Sequence, residues 1–400
     1  MSSLPAAEGL IAIPARALKP GMYVAAIDRP WSETPFALQG FHVQSTEDVA
    51  LICRYCNEVS IDPARRVAVS GPVRQKRVNR DSNSLELLPA EFAAAANADI
   101  DSADRAIRKV FGQLKRGGGL EVRALQSAVD PLVKHVVQDS NAMAALVRIR
   151  RHGDYLYNHS LCNAVWSAVL GRHLGLPAED LGCLALGASL VDVGMTRLDW
   201  DPLAKPATLS AGEMEAVRRH VDLGVTLVTD APGVDQRVVD VVRNHHERFD
   251  GSGYPHGLAG HDIPILARIA GLVDTYDAMI TKRPHAPSRT SFEAVQELWD
   301  GEASRFQREL VEQFIQAIGL FPTGAVVELN SGEVGIVVAQ NESRRLKPRV
   351  MLILDSQKRR YREFKVVDLS ERTPTHDAEL WVRAELHPGA HGVHPDEFFL

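Results

Sequence analysis

Residues 245–255 read HHERFDGSGYP, and their side chains are the most informative about chemistry in the 400-residue chain. Val238, Val241 and Val242 recur at the spacing of one helix face, and His245 continues that face toward the interior. A single inward-facing histidine is more often a hydrogen-bonded core residue than a metal ligand. Further ligand-type residues on other apolar faces are needed to favour a metal site.

Four other residues of this kind lie in separate apolar stretches with helical periodicity, namely His159, Asp192, His220 and Asp274. Burying each of them unpaired would be costly, whereas a shared metal ion would satisfy all of them. Imidazole and carboxylate ligands suit Fe, Mn or Zn. Two ions about 3.5–4 Å apart can activate a bridging water and neutralise charge on a phosphoryl group. The residues therefore favour phosphoester hydrolysis.

The sequence HHERFDGSGYPHGLAGHDIPILARIAGLVDTYDAM, which begins at His245, resembles the signature of HD-GYP domains. These domains are a subgroup of the HD phosphohydrolase superfamily and hydrolyse the bacterial second messenger cyclic di-GMP. The resemblance covers roughly residues 145 to 320 of this chain. It implies an HD-type helical bundle and a cyclic di-GMP phosphodiesterase in bacterial signalling.

Residue by residue, the resemblance implies a metal centre formed by His159, Asp192, His220, His245, His246 and Asp274. One or two divalent ions are expected, Fe or Mn first, with Zn, Ni or Mg as alternatives. The GYP loop, Gly253, Tyr254 and Pro255, is expected beside the substrate, with Tyr254 in contact with it, and can contact GGDEF-domain cyclases. Arg283 matches an arginine that binds the substrate phosphate.

The chain departs from the family where LHDIGK is replaced by LVDVGM. Val191 takes the place of the doublet histidine and cannot ligate a metal, and Met195 takes the place of a lysine and carries no charge. We expect one ion to be held well by Asp192 and three imidazoles. A second ion would be held weakly by His159 and Asp274, and the rate should fall by ~10²–10⁴-fold.

Two alternatives follow from these departures. The domain could be catalytically inactive and act by sensing cyclic di-GMP or by docking GGDEF-type cyclases through the GYP loop. It could also be an HD-type phosphohydrolase that acts on another nucleotide. Tyr155 stands where some relatives supply a glutamate for a third metal ion.

The pattern along the chain predicts a mainly α protein, an HD-type helical bundle flanked by a small N-terminal β domain and a small C-terminal β-barrel-like domain. The segment VALICRY, which ends at Tyr55, is predicted as one of the N-terminal strands. The expected segments are an N-terminal β domain at 1–75, a linker at 76–90, connecting helices at 91–145, the HD-GYP domain at 146–320, a β domain at 321–375 and a flexible tail at 376–400.

Composition excludes several classes of protein. Asp and Glu number 51 against 45 Lys and Arg, for a formal charge of −6, so bulk nucleic-acid binding is not expected. No apolar run reaches the ~18–20 residues of a membrane span, and the N-terminus lacks a signal-peptide layout. We expect a cytoplasmic protein. The CxxC of Cys53 and Cys56 lacks a second ligand pair and is interpreted as structural.

Overall fold

The structure, a computed structural model, describes residues 10–28, 41–43, 46–63, 90–149, 154–199, 209–282, 288–300, 305–341, 346–371 and 379–399. The chain divides into two units, residues 1–85 with 342–346 and residues 86–341 with 347–400. Among the described helices, none is both long enough and apolar enough to cross a membrane. Of the predicted linker at 76–90, only its last residue is described, and it begins a helix.

The described residues of the N-terminal unit form four strands and one α-helix: β1 (Ile11–Pro14), β2 (Tyr23–Ile27), β3 (Phe41–His42), α1 (Thr46–Tyr55) and β4 (Glu58–Asp62). The strands pair antiparallel in the order β1-β4-β2-β3. The prediction of a strand at VALICRY is wrong, because this segment lies in α1. Val49, Ile52 and Cys56 are three and four residues apart and pack on one core, which is a helical spacing.

In the part of the chain that the structure describes, eleven further α-helices precede the C-terminal sheet. They are α2 (Ala90–Lys115), α3 (Val122–Gln138), α4 (Ser140–Ile149), α5 (Tyr155–His173), α6 (Ala178–Ser189), α7 (Ala211–Arg218), α8 (His220–Thr229), α9 (Gln236–Asn244), α10 (Ile265–Ile280), α11 (Ser291–Asp300) and α12 (Arg308–Ile318). The predicted mainly α architecture is confirmed. Ser210 and Glu213 form a capping box at the start of α7.

Three fully buried aromatic rings join the helices at the centre of this bundle. Trp166 of α5 meets Tyr276 of α10 edge to face, with ring centroids 6.0 Å apart. Tyr276 meets Phe314 of α12 in the same way at 4.9 Å. Asp154 caps the N-terminus of α5 by accepting a hydrogen bond from the backbone N–H of Leu156. These contacts fix α5 and α10, each of which carries a predicted ligand.

The C-terminal strands are β5 (Val326–Leu329), β6 (Val334–Ala339), β7 (Arg349–Leu354), β8 (Arg360–Asp368) and β9 (Val382–Leu386), in the order β8-β7-β6-β5-β9. Strands β5 to β8 lie within the segment 321–375, for which the sequence predicts a β domain. The prediction of a flexible tail is wrong for residues 379–399. Strand β9 pairs antiparallel with β5, and a short helix, α13 (Asp396–Phe399), follows. Glu385 of β9 also forms an ion pair of 2.8 Å with Arg148 of α4.

Candidate metal centre

The six predicted ligands converge from different parts of the bundle: His159 from α5, Asp192 from the turn after α6, His220 from the first residue of α8, His245 and His246 from the end of α9, and Asp274 from α10. They form two groups of three. In each group, one potential ligand atom per residue lies within 4.8 Å of the other two. The first group is His220, His245 and His246, and the second is His159, Asp192 and Asp274.

The first group, called here the imidazole cluster, is closely packed. Nε2 of His220 lies 3.4 Å from Nε2 of His245. The ring of His246 has its centroid 4.1 Å from that of His245 and 5.1 Å from that of His220. His220 and His245 are buried, whereas His246 is partly exposed. Solvent therefore reaches this cluster beside His246.

Backbone carbonyls fix the tautomers of two of these rings. Nδ1 of His220 donates to the carbonyl of Val217 and Nδ1 of His245 donates to that of Val242, each at 2.8 Å. A carbonyl only accepts, so Nδ1 carries a proton, and in the form that binds a metal each ring presents a lone pair at Nε2. Two lone pairs 3.4 Å apart repel each other, and a shared cation removes that repulsion.

Burial keeps two rings of the imidazole cluster, His245 and His246, in the neutral form. It lowers the pKa of His245 to about 4, and it lowers the pKa of His246 well below the ordinary value, with a further contribution from the neighbouring His245. Metal ligation requires the unprotonated ring. These two histidines therefore need no deprotonation to bind an ion near neutral pH.

The second group, called the carboxylate cluster, centres on His159. Nε2 of His159 lies 2.8 Å from Oδ1 of Asp274 and 3.6 Å from Oδ2 of Asp192. Nδ2 of Asn163, one turn further along α5, donates to the same oxygen of Asp274 at 3.2 Å. The three cluster residues are all buried.

Charge in this cluster differs from that in the first. Burial opposes a charge on His159, but hydrogen bonds to Asp274 and Asp277, together with their negative charges, outweigh it and raise its pKa to about 10. Burial likewise opposes ionisation of Asp274, and the hydrogen bond from His159 outweighs it and lowers the pKa. An ion entering here must displace the proton on Nε2 of His159.

Asp192 joins the two groups. Its Oδ1 lies 3.5 Å from Nε2 of His220, and its Oδ2 lies 3.6 Å from Nε2 of His159. Each carboxylate oxygen thus faces a different cluster, which is the geometry a bridging ligand needs. The ring nitrogens, with their fixed tautomers, and an oxygen of Asp192 fit a divalent ion in the imidazole cluster. The carboxylate cluster offers a second position, where an ion must first displace the proton of His159.

The GYP loop lies against the imidazole cluster. The ring of Tyr254 stacks on His246 with centroids 4.6 Å apart and an interplanar angle of 26°. The buried carboxylate of Glu247 accepts hydrogen bonds from the backbone N–H groups of His256 at 2.7 Å and Leu258 at 3.0 Å. The Tyr254–Pro255 peptide bond is cis. Glu247 is a residue of the motif to which the sequence interpretation gave no role.

The divergent positions and the predicted phosphate ligand are placed differently. Val191 is buried in the apolar core of the bundle, and Met195 packs at its partly exposed edge. Tyr155 stacks on the ring of His159, with centroids 4.9 Å apart. Arg283 lies outside the described residues.

Two glycines that the sequence interpretation passed over allow the ligand-bearing segments to approach. A Cβ at Gly194 would overlap the carbonyl oxygen of His220, and a Cβ at Gly271 would overlap that of His245. Any side chain at these positions would push apart the backbones that carry the clusters. The sequence signal was present, because each glycine lies two or three residues from a predicted ligand.

Comparison with known proteins agrees with this geometry. The family model for the HD domain matches residues 130–310. A domain of unknown function, DUF3391, matches 10–125, and a KOW domain associated with the HD domain matches 326–375. The chain is 29% identical over 386 residues to a cyclic di-GMP phosphodiesterase of Pseudomonas aeruginosa, with 92% of each protein covered.

Two shorter matches are confined to less than half of each chain. A cyclic di-GMP phosphodiesterase response regulator of Xanthomonas campestris is 32% identical, over 38% of this chain and 40% of that protein. A 3'3'-cGAMP-specific phosphodiesterase of Vibrio cholerae is 31% identical, over 38% of this chain and 30% of that protein. Over these lengths the chain is similar to HD-domain phosphodiesterases, and its HHERFDGSGYP motif lies beside the two clusters.

Proposed function

We propose that the protein is a metal-dependent phosphodiesterase that hydrolyses cyclic di-GMP in bacterial second-messenger signalling in the cytoplasm. The observation that carries the proposal is Asp192, whose two oxygens face the imidazole cluster and the carboxylate cluster respectively. The substrate is taken from the Pseudomonas aeruginosa relative, which matches along nearly the whole chain.

The imidazole cluster together with Asp192 is the main site for an ion, with Fe or Mn as the preferred metal. His159 and Asp274 hold a second ion more weakly, and Asp192 is shared. Bound divalent ions would lower the pKa of coordinated water and neutralise charge on the phosphoryl oxygens. Three imidazoles and one carboxylate form the first ligand set, which is why we assign it the tighter binding.

The protein's own groups do the remaining work around the substrate. Nδ1 of His220 and of His245 stay bonded to backbone carbonyls, so their rings keep one orientation during turnover. Tyr254 covers His246 at the opening of the cluster and lies against the substrate. Arg283 binds a substrate phosphate in this proposal.

Two substitutions reduce the rate we expect. Val191 supplies no ligand to the second ion, and Met195 supplies no cation to the phosphate. Weaker stabilisation of the transition state should cost ~10²–10⁴-fold in rate relative to a centre that has both groups. The protein is therefore proposed to be a slow phosphodiesterase.

One observation favours a second candidate, a non-catalytic module that binds cyclic di-GMP or docks GGDEF-domain proteins. His159 hydrogen bonds to carboxylates through both of its ring nitrogens, which hold it in the protonated form. If the proton is not displaced, only the imidazole cluster takes an ion and hydrolysis fails.

The test uses the full chain loaded anaerobically with Fe or Mn and incubated separately with cyclic di-GMP, 3'3'-cGAMP and cyclic di-AMP. The proposal expects linear dinucleotide or GMP from cyclic di-GMP, with that substrate preferred. Faster turnover of another cyclic dinucleotide would assign a different substrate. Metal-loaded protein that binds cyclic di-GMP but gives no product would establish the non-catalytic candidate.

A further inference from the structure

The partly exposed side of the imidazole cluster is the side from which an anionic substrate can approach. His220 and His245 are 1% and 0% exposed, while His246 is partly exposed and carries Tyr254 on its ring. Asp274 and Asp192 are near enough to Tyr254 to add to the effect of burial in raising the pKa of its hydroxyl. Tyr254 therefore lies at the opening of the centre.

Arg218 lies at this opening as well. Its guanidinium carbon is 4.9 Å from the centroid of the Tyr254 ring, a cation–π distance. Arg218 is the last residue of α7, two residues before His220, so the backbone ties it to a cluster ligand. The aromatic ring beneath the guanidinium restricts its position without using its N–H donors.

The donors of Arg218 are only weakly engaged. Its side chain is 48% exposed, and its ion pair with Glu215 is long, at 3.5 Å, and exposed on both sides. Such exposed pairs contribute little to stability, so giving up the contact with Glu215 costs little. Arg218 can therefore turn its N–H groups toward a ligand at little cost.

Arg248, which also lies beside the centre, cannot do this as easily. Its Nη1 donates to the carbonyls of His245 and Glu247, each at 3.1 Å, and its guanidinium lies over Phe306. Met195, at the position where the family has lysine, is uncharged. Of these three side chains, that of Arg218 is therefore the one best placed to offer a positive charge to an anionic substrate at this opening.

We infer that Arg218 binds the phosphate of the cyclic dinucleotide that is not being cut. This inference rests on the proposed function and extends it. The ring carries two phosphodiesters, and the metal centre neutralises the one under attack. The other needs cationic groups off the metals, in addition to the phosphate contact that the proposed function gives to Arg283, and the planar guanidinium fork of Arg218 matches two phosphate oxygens.

The experiment compares Arg218→Met, Arg218→Lys and the control Arg219→Met, which removes an exposed arginine from the adjacent position. Each is assayed on cyclic di-GMP and on bis(p-nitrophenyl) phosphate, which has only one phosphodiester. We expect Arg218→Met to raise KM for cyclic di-GMP by ~10–100-fold, the effect of losing a charged hydrogen-bond partner, and Arg218→Lys to recover part of the loss. Arg219→Met should leave the hydrolysis of both substrates unchanged.

The substrate with a single phosphodiester distinguishes two roles of Arg218, binding of the second phosphate and support of the GYP loop. If Arg218 only supports the loop through Tyr254, Arg218→Met will impair hydrolysis of both substrates equally, and the inference is overturned. Equal KM values in Arg218→Met and Arg219→Met overturn it too. If the wild type binds cyclic di-GMP without cutting it, the Kd for cyclic di-GMP is measured instead, in the wild type and in the same variants. Wild-type protein that neither binds nor cuts refutes the proposed function itself.

Discussion

Oδ2 of Asp277 lies 2.7 Å from Nδ1 of His159, on the side of the ring remote from the carboxylate cluster. Asp277 is fully buried on α10, one turn beyond Asp274, so one helix supplies the carboxylates that flank both ring nitrogens of His159. This is the carboxylate–histidine arrangement that orients metal-binding imidazoles. Asp277 is a positioning residue rather than a ligand.

Asp277→Asn should therefore weaken the second ion selectively. Asparagine keeps a hydrogen-bond acceptor but loses the charge, and changes of this kind cost about 10–100-fold in metal affinity. Calorimetric titration of metal-free protein with Mn should show the weaker binding step lost and the tighter step retained. The control is Asp104→Asn on α2, which removes a carboxylate paired with Arg108. Two unchanged binding steps would show that Asp277 does not support the second site.

His245→Ala should abolish binding of the main ion, the one assigned to the imidazole cluster. The variant removes one of two facing Nε2 atoms, so metal bound per chain should fall and added Mn should raise Tm less than in the wild type. In the wild type, metal at 100 times its Kd stabilises the fold by about 2.7 kcal/mol, a shift of a few degrees. His256→Ala, at a histidine whose side chain is 54% exposed, serves as the control. Equal metal content in both variants would contradict the assignment.

Gly271→Ala should lower stability and metal content together. The added Cβ meets the carbonyl of His245, so α10 must move away from the end of α9, at a cost of about 1–3 kcal/mol. Gly182→Ala on α6 is the control, because a Cβ there meets nothing within 4 Å. Removing this helical glycine should leave stability unchanged or raise it by about 0.5–1 kcal/mol. Thermal melts that rank the two variants in the opposite order would contradict the close-approach argument.

Restoring the family residues should restore rate. The double variant Val191→His with Met195→Lys adds an imidazole and a cation, and we expect kcat for cyclic di-GMP to rise at least ~10-fold. Because Val191 is buried in the apolar core, the variant should be less stable than the wild type without metal and should recover stability when metal is added. A double variant that binds two ions and turns over no faster would show that the slow rate has another cause.

Local patterns predicted much of this molecule because ligands on apolar helix faces leave a clear signal. His220 and His245 continue valine-rich faces, and both lie in the imidazole cluster. The segment around Ile52 was misassigned because a short apolar run fits a strand or a helix, and packing decides between them. Strand β9 was missed because its segment follows a polar stretch and pairs with β5, whose paired residues lie 53 to 60 positions earlier, from Leu329 with Val382 to Val326 with Leu386.

Contacts between distant segments could not be read from the sequence. Asp277 hydrogen bonds to His159, which is 118 residues away along the chain. The ring contact of Arg218 with Tyr254 likewise joins α7 to the GYP loop. Such relations depend on how helices pack, and a one-dimensional pattern does not encode the partner.

The metal dependence of cyclic di-GMP hydrolysis tests the central claim most directly. The rate is measured for the full chain after chelation and again after anaerobic loading with Fe or Mn, in the wild type and in His245→Ala. We expect linear dinucleotide or GMP only from the metal-loaded wild type. Product formed at the same rate without metal, or by metal-loaded His245→Ala, would contradict the assignment of the two clusters joined by Asp192 as the hydrolytic centre.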